Sequence, residues 1–211
     1  MKPIVETGIG GYPPGSMLND RSSILSLLET RRSGKPRELV GPAPTGPELQ
    51  RMLSIAARTP DHGILTPWRF VTVGDDQRDA LEALLQQALL DEDSDPLPAK
   101  REKEHDFAHY HGALVVLISA PVGDHKIPVR EQILSCGAAG MNLLLAAHAL
   151  GYTAGWVTGW RAYSERVRAA FCAPGERIAG FIFIGHEGRE LDERPRPQLI
   201  EVWRPWQPPN L

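Results

Sequence analysis

The stretch 136–159, CGAAGMNLLLAAHALGYTAGWVTG, decides the fold. Its first half sets Gly and Ala among leucines at helical spacing, and the helical pattern reaches back to about position 131. Small residues let another backbone come close, so this helix, 131–150, belongs at the centre of the fold or at a subunit contact. Gly151 supplies the residue that ends a helix in the left-handed conformation. TAGWV at 153–157 then reads as a strand and Thr158-Gly159 as a turn. A long helix that empties into a strand through one glycine points to a domain layered from helices and a sheet.

The flanks repeat this alternation. ALVVLIS at 113–119 and IAGFIFI at 178–184 read as buried central strands, and 69–73 as a further strand. Amphipathic helices are expected from Ser22-Ser23 onward, from Thr45 onward with Glu48 completing a capping box, and from Asp75 to Leu89. The acidic, Pro-containing break 91–98 leads into a heavily charged helix, 99–111, expected to be solvent-exposed or a mobile lid. Ser164 caps a short helix to Phe171. Residues 1–20 form an irregular Gly/Pro-rich arm, 21–190 the main domain, and 191–211 an extended tail expected to pack on a second subunit. There is no GxGxxG of a Rossmann fold, no P-loop and no internal repeat.

The chain has 211 residues, which suits one domain. A net charge of -3, with basic and acidic residues interspersed, gives no electrostatic case for nucleic acid or an anionic membrane as partner. No apolar run is long enough to span a bilayer, and the N-terminus lacks the apolar core of a signal peptide. The only two cysteines, Cys136 and Cys172, form neither a disulfide framework nor a CxxC pair, which fits a reducing, cytoplasmic setting.

Arg31-Arg32-Ser33 can grip a phosphate by forked hydrogen bonds and hold a sugar hydroxyl, or merely complement a helix C-terminal dipole. Arg58 and His62, in RTPDH before Pro67-Trp68-Arg69-Phe70, can border a planar ligand, or cap a turn beside a core tryptophan. Gly155-Trp156-Val157-Thr158-Gly159 allows a ligand edge to approach the backbone, or is a tight corner. His125 and Lys126 lie on the loop after the strongest strand and can face a substrate or simply solvent. His105 and His109 stand one helical turn apart with His111 near, a spacing that can bind metal. No HExxH accompanies them, and no metal site is expected. Cys136 reads as core rather than nucleophile. Trp203 and Trp206 read as staples for the tail.

Together these words resemble the nitroreductase-like FMN-dependent flavoproteins, in their YdjA-like branch. The resemblance rests on ETRRSGKP (29–36), PAPTG-x-ELQ-x-ML (42–53), ARTPDHGILTPWRFV (57–71), DHKIPVREQ (124–132), the 136–159 stretch and IAGFIFIGH (178–186). It implies an α+β, three-layer α/β/α fold with a mixed, mainly antiparallel central sheet, and a homodimer with FMN at the interface. It implies an enzyme in which NADH or NADPH gives a hydride to FMN and leaves. A nitro, quinone or similar organic acceptor is then reduced in ping-pong fashion, with no catalytic residue apart from the flavin. It assigns Arg31, Arg32 and Ser33 to the phosphate and ribityl chain, aided by Arg196 of the tail. Arg58, His62, Trp156, Val157 and Thr158 border the flavin. Ala146, Ala147, His148, Ala149, Leu150 and Gly151 are associated with the nicotinamide cofactor. The chain departs from larger members of the family in having Asp61-His62 and Thr66 where Ser and Asn precede a Gln-Pro-Trp. Two other readings stay open: a flavin-binding sensor without turnover, and a same-fold enzyme of dehalogenation or flavin fragmentation.

Overall fold

The computed structural model describes residues 17–209. The expected arm at 1–20 therefore lies outside the described residues as far as position 16. In chain order the elements are α1 (Ile24–Thr30), β1 (Leu39–Val40), α2 (Gly46–Ala56), β2 (Trp68–Val73), α3 (Arg78–Glu92), α4 (Pro98–His109), β3 (Ala113–Ser119), α5 (Val129–Ala149), β4 (Thr153–Val157), α6 (Glu165–Phe171), β5 (Arg177–Glu187) and α7 (Leu199–Val202). The chain divides into two units. One is Ser33–Glu190; the other takes the described parts of Met1–Arg32 and Leu191–Leu211.

The larger unit is a five-stranded sheet with helices on both faces. β3 lies between β2 and β5, and β5 also pairs with β1 and β4. Each of these pairings is antiparallel. Side chains of a strand alternate between faces, and the two central strands exploit both. Leu114, Val116, Ile118, Phe181 and Phe183 join a core with α3, α4 and α6. Val115, Leu117, Ile182 and Ile184 join a second core with α2 and α5. Such strands carry no polar face, which is why 113–119 reads as a continuous apolar run. Each large side chain so buried contributes about 1.5–3 kcal/mol.

Local chemistry fixes the element ends. Thr45 and Glu48 form the expected capping box: the Glu48 amide donates to Thr45 Oγ1 and the Thr45 amide to Glu48 Oε2. Tyr152 donates its hydroxyl to the same carboxylate at 2.9 Å, tying the start of α2 to the approach to β4. α5 ends at Ala149 with Leu150 as its cap, and Gly151 follows with φ of 94°, the left-handed geometry expected of it.

α4 is exposed along most of its length, as its charges suggest, but it is no free lid: Glu104, Phe107 and Ala108 are buried. Arg161, just after β4, donates to both Glu104 oxygens, from Nε at 2.5 Å and from Nη2 at 2.8 Å. The Arg161 guanidinium lies 4.0 Å from the Phe107 ring centre. A bidentate ion pair under an aromatic ring holds the helix down.

In the smaller unit, Ser23 caps α1 through the Ser26 amide, and Leu27 and Thr30 are buried. Asn19, in the left-handed region at φ 53°, accepts from the Arg32 amide at 2.8 Å and donates to the Arg32 carbonyl at 3.1 Å. Ile24, Leu25 and Leu28 on α1, and Trp203 and Trp206 in the tail, are exposed.

Candidate functional site

Within the smaller unit the tail returns to the end of α1. Arg32 Nε donates to the Asp192 carbonyl at 2.8 Å, and Arg196 Nη2 donates to the Arg31 carbonyl at 3.2 Å and to Glu193 Oε1 at 3.1 Å. Arg31 and Arg32 are half-buried. Burial pulls the Arg31 guanidinium below its ordinary pKa, Arg196 and Arg32 push it the same way, and Glu193 opposes them. Burial also lowers Arg32, reinforced by Arg194 and Arg196, with Glu193 and Asp192 opposing. Arg31 is thus repelled by Arg32 and Arg196, and Arg32 by Arg194 and Arg196. An anion with several oxygens would relieve that repulsion. The structure brings Arg31, Arg32 and Arg196 together.

In the larger unit, the loop after α2 is clamped by Asp61, whose carboxylate accepts from the Leu65 amide at 3.1 Å and the Thr66 amide at 2.7 Å. Gly63, Ile64 and Thr66 have φ of 80°, 55° and 48°. Two β-branched residues in the left-handed region store strain that a plain turn does not need. Ile64 is also 89 % exposed, so no buried contact offsets it. Asn142 of α5 donates to Thr59 Oγ1 at 2.8 Å and Ser135 to the Pro60 carbonyl at 2.6 Å, which pins the loop to that helix. His62 is exposed and its Nδ1 lies 2.8 Å from Glu131 Oε2. Arg58 is exposed at the end of α2.

Trp156 sits in a slot that only glycines permit. A Cβ on Gly140 of α5 would lie 2.5 Å from Trp156 Cζ3, and one on Gly180 of β5 would lie 2.0 Å from Trp156 Nε1. The indole N–H donates to the Ala179 carbonyl at 3.1 Å. Ala179 is the extra residue of a bulge: Leu117 pairs with Gly180, but Ile118 pairs with Ile178. The bulge turns a carbonyl out of the ladder and the indole takes it. Ser33 leads into Gly34, whose amide donates to the Ala154 carbonyl at 3.2 Å, so this strap crosses β4 where Gly155 leaves room. Val157 and Thr158 then line a cavity of about 400 Å³ with Lys35, Arg37, Tyr110 and Arg161. Lys35 and Arg37 both lie within 4 Å of Glu38, as does Arg189, leaving the rim cationic. Sequence reading gave no role to Lys35, Arg37 or Arg161: the first two sit in a loop, where charge has no period, and the Arg161 partner is on another element.

The remaining candidates are placed as follows. Ala146, Ala147 and His148 are buried on the core side of α5, Ala149 is exposed, and Leu150 and Gly151 are half-buried. His125 and Lys126 are exposed, and His125 Nδ1 accepts from the Ile127 amide at 3.2 Å, closing its own turn. Cys136 is buried and its thiol is pushed up to about 11 by burial, which makes it a core residue. No described helix is long and apolar enough to cross a membrane.

Helices on both faces of an antiparallel sheet define an α+β protein, and its fold is the nitroreductase-like one. A nitroreductase-like family protein from Bacillus cereus superposes with a TM-score of 0.73 at 20 % identity, over 90 % of this chain and 98 % of its own. The FMN and NADPH-dependent nitroreductase NfnB of a Sphigopyxis strain, as a point variant, gives 0.66 at 19 %, over 85 % and 96 %. At such identities the likeness speaks for fold. Sequence carries it further. Residues 28–186 match the Nitroreductase family. "Putative NAD(P)H nitroreductase YdjA" of Escherichia coli K12 is 34 % identical over 163 residues, 76 % of this chain and 86 % of that protein. A "Putative NAD(P)H nitroreductase" of Haemophilus influenzae is 35 % identical over 173 residues, 81 % and 91 %. The chain belongs to the nitroreductase family, in its YdjA-like branch, and is an oxidoreductase of that type.

Proposed function

We propose that this protein is an FMN-dependent NAD(P)H oxidoreductase that reduces nitro, quinone or similar organic acceptors. The guanidinium cluster of Arg31, Arg32 and Arg196 carries the proposal: burial first, and then neighbouring guanidiniums, hold Arg31 and Arg32 below their ordinary values, and a phosphate placed among them would oppose both effects. These residues fit the phosphate of FMN, with Ser33 for the ribityl chain. We assign Arg58, His62, Trp156, Val157 and Thr158 to the flavin ring, where the slot that holds Trp156 fixes its edge. Bound FMN would supply the capacity to accept and pass on a hydride.

The chain's own part is placement and charge. The indole of Trp156 is locked by its bond to Ala179, so the backbone of Val157 and Thr158 is presented in one geometry. Lys35 and Arg37 favour anionic or electron-poor planar molecules at the cavity mouth. We assign the nicotinamide cofactor, NADH or NADPH, to the end of α5, where Ala149, Leu150 and Gly151 reach the surface and Ala146, Ala147 and His148 shape the helix from within. His125 and Lys126 are assigned to the acceptor side. Val129, Ile133 and Leu134 expose apolar surface on α5, which supports a homodimer. Two cysteines without a disulfide agree with a cytoplasmic protein.

Dehalogenation or flavin fragmentation would ask for a dedicated lid, and α4, the segment that would supply it, is tied down by Arg161 and Glu104. The test is anaerobic reduction of the flavin-loaded protein by NADH and by NADPH, followed by a nitroaromatic or a quinone. Bleaching followed by recovery, with steady consumption of nicotinamide, is expected. A bound flavin that neither nicotinamide reduces would make the protein a flavin-binding sensor.

A further inference from the structure

On the face of α3 and α4, away from the residues assigned above, three side chains converge. His105 Nδ1 lies 2.9 Å from Glu82 Oε2, and His109 Nε2 lies 3.0 Å from the same oxygen. The three ligand atoms all lie within 4.8 Å of one another. His105 and His109 are one helical turn apart on α4, so both rings leave the same face. Glu82 meets them from α3, and Asp79, one turn earlier on α3, brings Oδ1 to 3.7 Å from His109 Nε2.

We propose that Glu82, His105 and His109 form a binding site for a divalent transition metal of the zinc type, with Asp79 or water as the fourth ligand. Zinc takes imidazole nitrogen and carboxylate oxygen at about 2.0–2.1 Å in a tetrahedron, which spaces ligand atoms about 3.3 Å apart. The present separations need to open by only a few tenths of an ångström where the side chains now hydrogen-bond. Two imidazoles and a carboxylate select zinc, nickel or copper over magnesium and calcium, which prefer all-oxygen sites. Entry is open, since the side chains of His105, His109 and Glu82 are 56 %, 30 % and 28 % exposed. A metal here would join α3 to α4. It would stabilise the pair by mass action, because the unfolded chain has no assembled site. The HExxH pattern is absent because the carboxylate comes from a different helix.

The experiment uses the full-length, untagged protein stripped with a chelator, titrated with Zn²⁺ by calorimetry and with Co²⁺ by visible absorbance. One metal per chain is expected, with ligand-field bands of a nitrogen- and oxygen-ligated tetrahedral ion and a Zn²⁺-dependent rise in Tm. Glu82→Gln, His105→Ala and His109→Ala should each weaken binding at least about tenfold. His111→Ala, which alters a histidine outside the cluster, should leave it unchanged. Failure to bind one equivalent, or binding that survives His105→Ala and Glu82→Gln, would overturn the proposal and leave a hydrogen-bonded ion-pair cluster.

Discussion

Arg196 donates a hydrogen bond at 3.2 Å to the carbonyl of Arg31, a residue 165 positions earlier. One guanidinium thereby sets the backbone that carries another, and the cluster that results repels itself. An anion-binding role predicts that loss of one member harms ligand retention more than folding. Arg196→Ala and Arg32→Ala should each cost about 1.5–3 kcal/mol of FMN binding, a charge-assisted hydrogen bond's worth. Thermal stability of the flavin-free protein should hardly move. Fluorescence titration with FMN beside thermal melts checks this; equal loss of both would assign the arginines to structure.

Arg161 and Glu104 predict the opposite balance. Glu104 is 3 % exposed, so Arg161→Ala strands a carboxylate in the core. That should cost about 3–5 kcal/mol in urea unfolding, and Arg161→Met paired with Glu104→Leu should recover much of it. An unchanged midpoint in Arg161→Ala would show that α4 is not held by this pair.

The slot for Trp156 gives a third expectation. Gly140→Ala puts a methyl 2.5 Å from Trp156 Cζ3 and 2.7 Å from Leu117 Cδ2. Overpacking of this kind should cost about 1–3 kcal/mol and shift tryptophan fluorescence. Because the indole positions Val157 and Thr158, flavin affinity should fall as well, whereas Gly137→Ala, which meets no atom within 4 Å, should be silent in both.

Much of this architecture was legible in residues 113–159, where apolar period and small-residue content act locally. The helix expected at 131–150 is α5 at Val129–Ala149, and the strand at 153–157 is β4 itself. β1, by contrast, is two residues long and exists only because Leu39 and Val40 pair with the end of β5, so no periodicity announces it. The packing of α4 escaped for a related reason: Glu104 is identified as buried only by an arginine 57 positions away. Of the site, the arginine pair and the glycine-flanked tryptophan stood out by composition. The cavity's Lys35, Arg37 and Arg161 did not, because charge in a loop has no pattern until the fold gathers it. The same holds for Glu82 beside His105 and His109.

Cys136 yields a prediction in pH. An unfolded thiol titrates near about 8.5, whereas burial holds this one up at about 11. Its neutral form is thus favoured by folding: that contribution is complete below the unfolded value, declines above it, and is gone as pH rises through the folded value. Chemical unfolding between those limits should show stability falling with pH, less steeply in Cys136→Ala. At neutral pH a thiol reagent should modify Cys136 only on unfolding; rapid modification in the native protein would contradict its burial.

The most direct measurement is the visible spectrum of the purified, folded protein reconstituted with FMN and freed of excess. A yellow protein with one FMN per chain, released on denaturation, is expected, with markedly less flavin in Arg32→Ala prepared identically. Well-folded wild-type protein that stays colourless after reconstitution would contradict it.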